Sequence, residues 1–369
     1  MSKPIVLHLG DDIKWNHELY ATLQSKFTIV RSHSISRSEF IAALKSRRFG
    51  DFVAMYRPFW NTGGEMGNWD DELISLLPKS CKIYASAGAG FDWVDTRRLA
   101  QSGTAFSLTI INEAPYPFPT DTPATPGIVY CNAAAACTES VADAAIWLIL
   151  STFRAFSWSS TAARSLSVPR FQDANRNIAA VTHNPNGYAL GIVGLGKIGY
   201  RIAQKASVAF GMKILYNDIR RMPTDIEESI SATFHEKLDD LLAAADCTLV
   251  ATPFGGDKVL QASNIARMKK GSRLVNIARG KLIDEDALVA ALESGQLVSA
   301  GLDVHYDEPR VNAKLAAMPN VELLAHTAGA SVESHIGFER LGMENILGFF
   351  ETGKAVTPVN AQWIKESKL

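Results

Sequence analysis

The stretch LGIVGLGKIG, residues 190–199, decides the fold, because it ends an apolar run in three glycines with the spacing G-x-G-x-x-G. Gly194 permits a tight turn, Gly196 lets the backbone approach a pyrophosphate, and Gly199 lets a helix pack closely on a strand. The surrounding residues YALGIVGLGKIGYRIAQKASVAFGMKILYND follow the order strand, glycine turn, helix, strand that this fingerprint requires. The stretch therefore predicts a dinucleotide-binding α/β domain that starts near the middle of the chain.

Asp218 ends the second predicted strand, about 20 residues after the glycine turn. A carboxylate at this position would bind a ribose 2′-hydroxyl and repel a 2′-phosphate, which favours NAD over NADP. Arg220 and Arg221 follow closely, and guanidinium groups bind phosphate well, so NADP stays possible.

Length and charge restrict the class of protein. The chain has 369 residues, which suggests two domains. Its 37 Lys and Arg nearly cancel its 38 Asp and Glu, and a net charge of −1 attracts neither nucleic acid nor an anionic membrane. We therefore expect a small-molecule partner, no nucleic acid, no membrane, and no apolar stretch of membrane-spanning length. The segment HEKLD at His235 begins like a zinc motif but has Asp239 as its fifth residue, so no metal site is predicted.

The residues before the glycine motif alternate short strand-like runs with helix-length segments, a pattern typical of a parallel doubly wound sheet. The strand-like runs are IVLHLG, FTIVRS, FVAMY, KIYASAG and IVYCN. The proline-rich segment 104–126 predicts an irregular excursion, either a surface decoration, which we favour, or a lid. A long helix is expected from Thr138, whose hydroxyl can cap its N-terminus.

Three predicted strands after the glycine motif end in side chains suited to acid–base chemistry. Arg279 lies in NIARG, Glu308 in DVHYDEP and His326 in LLAHTAG, where the carboxyl ends of parallel strands face a ligand. Arginine binds a carboxylate and a neighbouring carbonyl with a fixed fork, and histidine exchanges a proton near neutral pH. A carboxylate beside a histidine orients the ring and favours its charged form. Each residue alone has a structural explanation, but their joint position indicates catalysis.

Six motifs, in order along the chain, resemble those of the D-isomer-specific 2-hydroxyacid dehydrogenase family. They are SAGAGFDWVD, CNAAAACTESVADAA, GIVGLGKIG, MKKGSRLVNIARG, SAGLDVHYDEP and LLAHTAGAS. HNPNGYALGIVGLGKIG and GFERLGMENI are most similar to fungal D-mandelate dehydrogenase-like members. The resemblance implies two doubly wound parallel-sheet domains with the chemistry in the cleft between them. The first is a flavodoxin-like substrate domain, residues 1–150 and 327–369, and the second an inserted Rossmann NAD-binding domain, residues 151–326.

The resemblance also implies roles for single residues. Arg279 would bind the carboxylate and carbonyl of a 2-oxoacid, His326 would be the acid/base, and Glu308 would pair with His326. The main-chain amides of Ala87 and Gly88 would hold the substrate carboxylate. A further set of positions would surround the cofactor. These are Thr138, Gly194, Gly196, Lys197, Ile198, Gly199, Asp218, Thr252, Pro253, Ile277, Ala278, Asp303 and Gly329.

The substrate side chain is less constrained by the sequence. Tyr56, Phe59 and Trp60 could line a pocket for an aromatic or large aliphatic group, or could pack the core. We expect bulky or aromatic 2-oxoacids of the mandelate or benzoylformate type. Ala135 and Ala328 stand where the family commonly has glycine, and each adds one methyl near the cofactor.

The expected activity is NAD-dependent hydride transfer between nicotinamide and C2 of a 2-hydroxy acid. Two alternatives stay open: a non-catalytic NAD-sensing scaffold of the corepressor type, and a glyoxylate/hydroxypyruvate reductase that uses NADPH. The resemblance further implies a homodimer. Ser367-Lys368-Leu369 matches the address that the peroxisomal import receptor binds, which predicts a peroxisomal location in a eukaryote and a cytoplasmic one otherwise.

Overall fold

A computed structural model describes residues 3–33, 36–59, 67–102, 105–106 and 125–364. The chain divides into two compact units, and the second is inserted between the two parts of the first. The first unit comprises Met1–Cys137 and Ser331–Leu369, and the second comprises Thr138–Ala330. Most of the proline-rich segment 104–126 and the C-terminal tripeptide lie outside the described residues.

The N-terminal part of the first unit alternates strands and helices and leads into a long helix. In chain order its elements are β1 Ile5–Leu9, α1 His17–Lys26, β2 Thr28–Ser32, α2 Arg37–Lys45, β3 Ala54–Arg57, α3 Asp71–Ile74, β4 Ile83–Ser86, α4 Thr96–Ala100, β5 Ala105–Phe106, β6 Thr125–Pro126, β7 Val129–Cys131 and α5 Ala134–Arg154. Five strands form one sheet in the order β2-β1-β3-β4-β7, and every neighbouring pair is parallel. This is the strand order of flavodoxin-like sheets.

The second unit has the same alternation. Its elements after α5 are α6 Phe156–Arg164, α7 Val168–Asn177, β8 Ala189–Val193, α8 Lys197–Phe210, β9 Lys213–Asn217, α9 Thr224–Ser229, β10 Thr233–Phe234, α10 Leu238–Ala244, β11 Cys247–Val250, α11 Ala262–Ile265, β12 Ser272–Asn276, α12 Glu285–Glu293, β13 Leu297–Leu302, α13 Ala313–Ala317 and β14 Val321–Leu323. They build a seven-stranded parallel sheet in the order β10-β9-β8-β11-β12-β13-β14. The predicted α/β class with two parallel sheets is confirmed.

Helix α14, Val332–Thr352, returns the chain to the first unit. Its Glu339 is fully buried, and its carboxylate accepts hydrogen bonds from the amides of Lys14 and Asn16 at 2.7 and 2.9 Å. Because these residues follow β1, the carboxylate fixes the loop at the carboxyl edge of the first sheet.

Strands β1, β3, β4 and β7 of the first sheet are buried on both faces, as strands covered by helices are, whereas edge strand β2 is partly exposed. Along β1, Val6 packs in one hydrophobic cluster and Leu7 in the other, and along β4 Ala85 and Tyr84 divide in the same way. This period of two, with apolar residues on both faces, explains why the runs appear continuously hydrophobic in the sequence.

Helix α5 begins at Ala134, so Thr138 lies inside it and does not cap it as expected. The run Ala134–Cys137 holds three alanines, the best helix former, which extends the helix toward the N-terminus. By length and composition alone this 21-residue helix could cross a membrane, so the expectation that no apolar stretch reaches that length was wrong. Here Ile149 and Phe153 of α5 pack in the hydrophobic core of the second unit.

The unit boundaries differ from those expected at 150/151 and 326/327. The first crossing lies at Cys137/Thr138, because most of α5 packs in the second unit. The return crossing lies after Ala330, and the carboxylate of Asp303 holds the amides of Thr327 and Ala328 at 2.8 and 3.1 Å. These hydrogen bonds keep the turn at 326–328 in the second unit.

Candidate functional site

The glycine turn between β8 and α8 has the shape that a dinucleotide requires. Gly194 has φ of +96°, and an added Cβ would lie 2.9 Å from the backbone of Thr252. An added Cβ at Gly199 would lie 2.3 Å from the carbonyl oxygen of Gly194. Gly196 is the N-cap residue of α8, and its missing side chain leaves the helix N-terminus open to a phosphate. The residues present therefore fit a bound pyrophosphate.

Asp218 follows β9, at the strand end where a ribose would bind. Its Oδ2 accepts a hydrogen bond of 2.8 Å from the amide of Leu195, within the glycine turn. This bond fixes the carboxylate beside the turn, the position predicted for ribose recognition.

Glu308 and His326 are brought together by the loops that follow β13 and β14. Nδ1 of His326 and Oε2 of Glu308 are 2.8 Å apart, and both side chains are about one-third exposed (34 and 35%). The other carboxylate oxygen of Glu308 accepts a 2.9 Å hydrogen bond from the amide of His305. Burial alone would raise the pKa of Glu308, but the hydrogen bonds from His326 and His305 outweigh burial and lower that pKa. The carboxylate therefore stays ionised beside the imidazole.

The backbone of His326 is held in an unfavourable conformation. Its φ is +54°, in the left-handed region that non-glycine residues rarely adopt. The amide of His326 donates to the carbonyl of Asp303 at 2.8 Å, and the buried Asp303 carboxylate binds the next two amides. Burial raises the pKa of Asp303. Asp303 thus holds the backbone of His326 and of the two residues after it. This role is distinct from the cofactor contact implied by the resemblance.

Arg279 follows β12 and begins the turn that leads to α12. Its Nη1 donates to the carbonyl of Ala278 at 2.7 Å, and its own carbonyl accepts from the Asn276 side chain at 2.8 Å. The next residue, Gly280, lies against the loop after β13, where an added Cβ would be 2.0 Å from the carbonyl of His305. The Arg279 turn therefore lies directly on the loop that holds Glu308.

Sequence reasoning missed Gly280 and His305. Gly280 is required by the close approach of two segments that are far apart in the sequence. Nε2 of His305 lies 2.7 Å from the carbonyl of Leu324, so this histidine connects the Glu308 loop to the end of β14. The only sequence signal for Gly280 is its place directly after Arg279.

The predicted substrate-binding residues of the first unit are either contradicted or left as predictions by the part of the chain that the structure describes. The amide of Ala87 donates to the carbonyl of Arg57 at 2.8 Å, which occupies the donor expected for the substrate. Gly88 forms the adjacent turn with φ of +88°, and its role stays a prediction. Tyr56 is fully buried, and its hydroxyl donates to the carbonyl of Glu339 at 2.9 Å, so it packs the core and the pocket interpretation was wrong for it. Trp60 lies outside the described residues.

The other predicted cofactor contacts lie in the second unit at or near strand ends and helix starts. Partly buried are Thr138, Ile198, Thr252, Ile277, Ala278 and Gly329, and exposed are Lys197 and Pro253. Ala328, one of the two departures from the family pattern, is buried. Ala135, the other, is exposed near the start of α5. The cofactor role of these positions stays a prediction.

Comparisons with known proteins agree with this geometry. A family model described as D-isomer specific 2-hydroxyacid dehydrogenase, NAD binding domain, matches residues 146–328. The chain is 32% identical to 4-methyl-2-oxopentanoate reductase A of Aspergillus oryzae over 97% of this chain and 98% of that relative. The holo crystal structure of Rhodotorula graminis D-mandelate dehydrogenase is 37% identical, with a TM-score of 0.88 over 97% of this chain and 98% of that one. An NADPH-dependent glyoxylate/hydroxypyruvate reductase of Sinorhizobium meliloti, solved with NADP and malonate, is 29% identical, with a TM-score of 0.72 over 100% of both chains.

Proposed function

The chain belongs to the D-isomer specific 2-hydroxyacid dehydrogenase family, and from this premise we propose that it reduces bulky, hydrophobic 2-oxoacids to D-2-hydroxy acids with NADH. It is an oxidoreductase of the CH–OH group, and its second unit is an NAD-binding domain. The observation that carries the proposal is the 2.8 Å hydrogen bond between His326 and Glu308. A carboxylate paired with a histidine is the arrangement that general acid–base catalysis uses.

The proton position on His326 follows from its partner. The ionised carboxylate of Glu308 only accepts hydrogen bonds, so Nδ1 of His326 carries the proton between them. Nε2 is then the ring atom that exchanges a proton with the substrate. In reduction, Nε2–H of the charged ring donates to the carbonyl oxygen, and the imidazole becomes neutral. In oxidation the same nitrogen accepts the proton of the substrate hydroxyl.

NADH, when bound, would supply a hydride to C2, and this hydride together with the proton from Nε2 of His326 accounts for the conversion of C=O to CH–OH. Arg279 holds the substrate carboxylate with its planar fork and stabilises the negative charge that develops on the carbonyl oxygen. The turn that carries Arg279 packs on the Glu308 loop through Gly280, which fixes the Arg279 backbone against that loop.

The choice of a bulky substrate rests on an aromatic group at the carboxyl edge of the first sheet. Trp15 follows β1 and Phe59 follows β3, and their ring centroids are 6.2 Å apart. His335, in the first turns of α14, lies 6.0 Å from Trp15 and 5.6 Å from Phe59. β3 lies between β1 and β4, so this group is adjacent to the turn that contains Gly88. Trp15 is 36% exposed and gives the group an accessible apolar face.

We expect Trp15→Ala to raise KM for 4-methyl-2-oxopentanoate and benzoylformate by about tenfold. This is the effect of losing the apolar contact between the indole and the substrate side chain. KM for glyoxylate, which has no side chain, should change by less than about twofold. Steady-state rates of NADH oxidation with the three acids measure this. Trp147→Ala, a similarly exposed tryptophan of α5, is the control (40% exposed). Equal losses for all three acids would contradict the aromatic site, and preferred turnover of glyoxylate by the unmodified protein would favour the glyoxylate reductase alternative.

Glu308→Gln tests the pair through kcat. The variant keeps the size of the side chain but removes the negative charge that faces Nδ1 of His326. We expect kcat for reduction to fall by about tenfold, the effect of one lost charge-assisted hydrogen bond, with the dissociation constant for NADH unchanged. Glu285→Gln, on α12 of the same unit, is the charge-matched control, and an unchanged kcat in Glu308→Gln would contradict the pairing.

NAD is proposed over NADP because Asp218 is fixed beside the glycine turn. Dissociation constants for NADH and NADPH test this preference, and tighter binding of NADPH would reverse it. A corepressor-type scaffold would instead bind NADH tightly and turn over none of the acids.

A homodimer is proposed because the second unit exposes apolar side chains on helix α7 and in the turn before it. Val168 and Phe171 of α7 are 67 and 56% exposed, and Leu166 before them is 93% exposed. Burial of such a patch against a second copy would remove it from water. Sedimentation of the intact protein should give the dimer mass, and a monomer at micromolar concentration would contradict it.

A peroxisomal location is proposed for a eukaryotic source, on the sequence Ser367-Lys368-Leu369 alone. A fluorescent fusion that leaves this end exposed should enter peroxisomes. Its variant Leu369→Asp should stay in the cytosol, and identical distributions would contradict the proposal.

A further inference from the structure

We propose that Glu227 is a specificity-determining residue that sustains the preference for NAD by neutralising Arg221. Arg221 lies three positions after Asp218, in the segment that a 2′-phosphate would contact. An arginine there would ordinarily bind that phosphate and admit NADP. The inference rests on the proposed NAD-dependent function and names the residue that enforces it.

The guanidinium of Arg221 is held by both carboxylate oxygens of Glu227. Nε donates to Oε1 and Nη2 donates to Oε2, each at 2.9 Å. Two parallel hydrogen bonds of this kind fix the plane of the guanidinium as well as its position. The fork that would bind a phosphate is thus already occupied by a carboxylate of this chain.

Glu227 is itself fixed by its surroundings. It lies on α9 and is 6% exposed, and the hydroxyl of buried Tyr216 also donates to Oε1. That hydroxyl accepts a 2.8 Å hydrogen bond from the amide of Met222, next to Arg221. The hydrogen bonds from Arg221 lower the pKa of Glu227 against the effect of burial, so the carboxylate is charged. The hydrogen bonds among Tyr216, Arg221 and Glu227 therefore connect the end of β9, the loop that follows it and helix α9.

The electrostatic consequence follows from the sequence of charges after β9. Asp218 contributes a negative charge where a 2′-phosphate would lie, and the paired Arg221 and Glu227 contribute none in sum. Residues 218–221 contain two cations, Arg220 and Arg221. Of these, exposed Arg220 has no paired carboxylate in the described structure. Loss of the Glu227 charge would leave two cations against Asp218 and reverse the local balance in favour of a 2′-phosphate.

Glu227→Gln is the decisive variant, because glutamine keeps the volume and the acceptor for Tyr216 but loses the charge. Glu228→Gln, an exposed neighbour on the same helix, is the matched control. Dissociation constants for NADPH and NADH are measured by titration calorimetry without any 2-oxoacid. We expect Glu227→Gln to bind NADPH about tenfold more tightly and NADH unchanged, the effect of one charge-assisted contact. Glu228→Gln should change neither.

Arg221→Gln completes the test. In the unmodified background it should leave NADPH binding unchanged, and in the Glu227→Gln background it should remove the gain. The proposal is overturned if Glu228→Gln gives the same gain, if folded Glu227→Gln gives none, or if Arg221→Gln alone weakens NADPH binding. Should Glu227→Gln fail to fold, Arg221→Gln alone decides: unchanged affinity supports the proposal and a tenfold loss (about 1.4 kcal/mol) overturns it. A protein that binds NADH but reduces no acid would contradict the proposed function without affecting these outcomes.

Discussion

His326→Asn is expected to lower kcat for 2-oxoacid reduction by about 10³-fold, within the usual range for a lost general acid. The variant removes the nitrogen that donates to the carbonyl oxygen. Asparagine suits the position because it tolerates the left-handed backbone that His326 adopts at φ of +54°. The measurement is kcat with saturating NADH and 4-methyl-2-oxopentanoate.

The dissociation constant for NADH should be unchanged in His326→Asn, because the loss concerns the chemical step. His183→Asn is the control, since His183 lies in the same unit and its ring lies 3.3 Å from the Tyr188 hydroxyl. A loss below about tenfold in His326→Asn would assign the proton to another group.

Arg279→Gln is expected to lower kcat/KM by about 10³-fold, because two charge-assisted hydrogen bonds to the substrate are lost. Arg279→Lys should fall between this variant and the unmodified protein, since lysine keeps the charge but lacks the planar fork. Initial rates over a range of 2-oxoacid concentrations give the ratio.

Lys281→Gln serves as the control for charge, because Lys281 is exposed two residues further along the same turn. Equal kcat/KM values for Arg279→Lys and the unmodified protein would show that the fork is not used. A loss of NADH binding in Arg279→Gln would instead show that Arg279 stabilises the structure of the second unit.

The glycine turn and the strand-end side chains were predictable because each depends on local sequence. A tight turn needs glycine at fixed spacing, and a run of buried residues followed by a polar side chain marks the carboxyl end of a parallel strand. Asp218, Glu308 and His326 all lie in segments that follow such ends, and the structure pairs the last two at 2.8 Å.

The errors arose where a residue depends on segments distant in the sequence. Tyr56 alternates with its neighbours along β3, and only the packing of α14 shows which face of the strand is covered. The Ala87 amide is occupied because β3 lies beside β4, and Gly280 is required because the loop at His305 lies against it. The pairing of Arg221 with Glu227 likewise depends on how α9 packs beside β9.

The boundary between units was misplaced for a related reason. Apolar residues recur along the whole length of helix α5, and its sequence does not indicate at which residue its packing partners change. The core of the second unit includes α5 residues from Ala142 onward, which places most of the helix in that unit.

The central claim is tested most directly by incubating the purified chain with NADH deuterated at the transferred position and 4-methyl-2-oxopentanoate, followed by chiral analysis of the product. The account predicts the D-2-hydroxy acid with deuterium at C2, formed about 10³-fold more slowly with His326→Asn. NADH that binds tightly without any hydroxy acid being formed, or a product of L configuration, would contradict it.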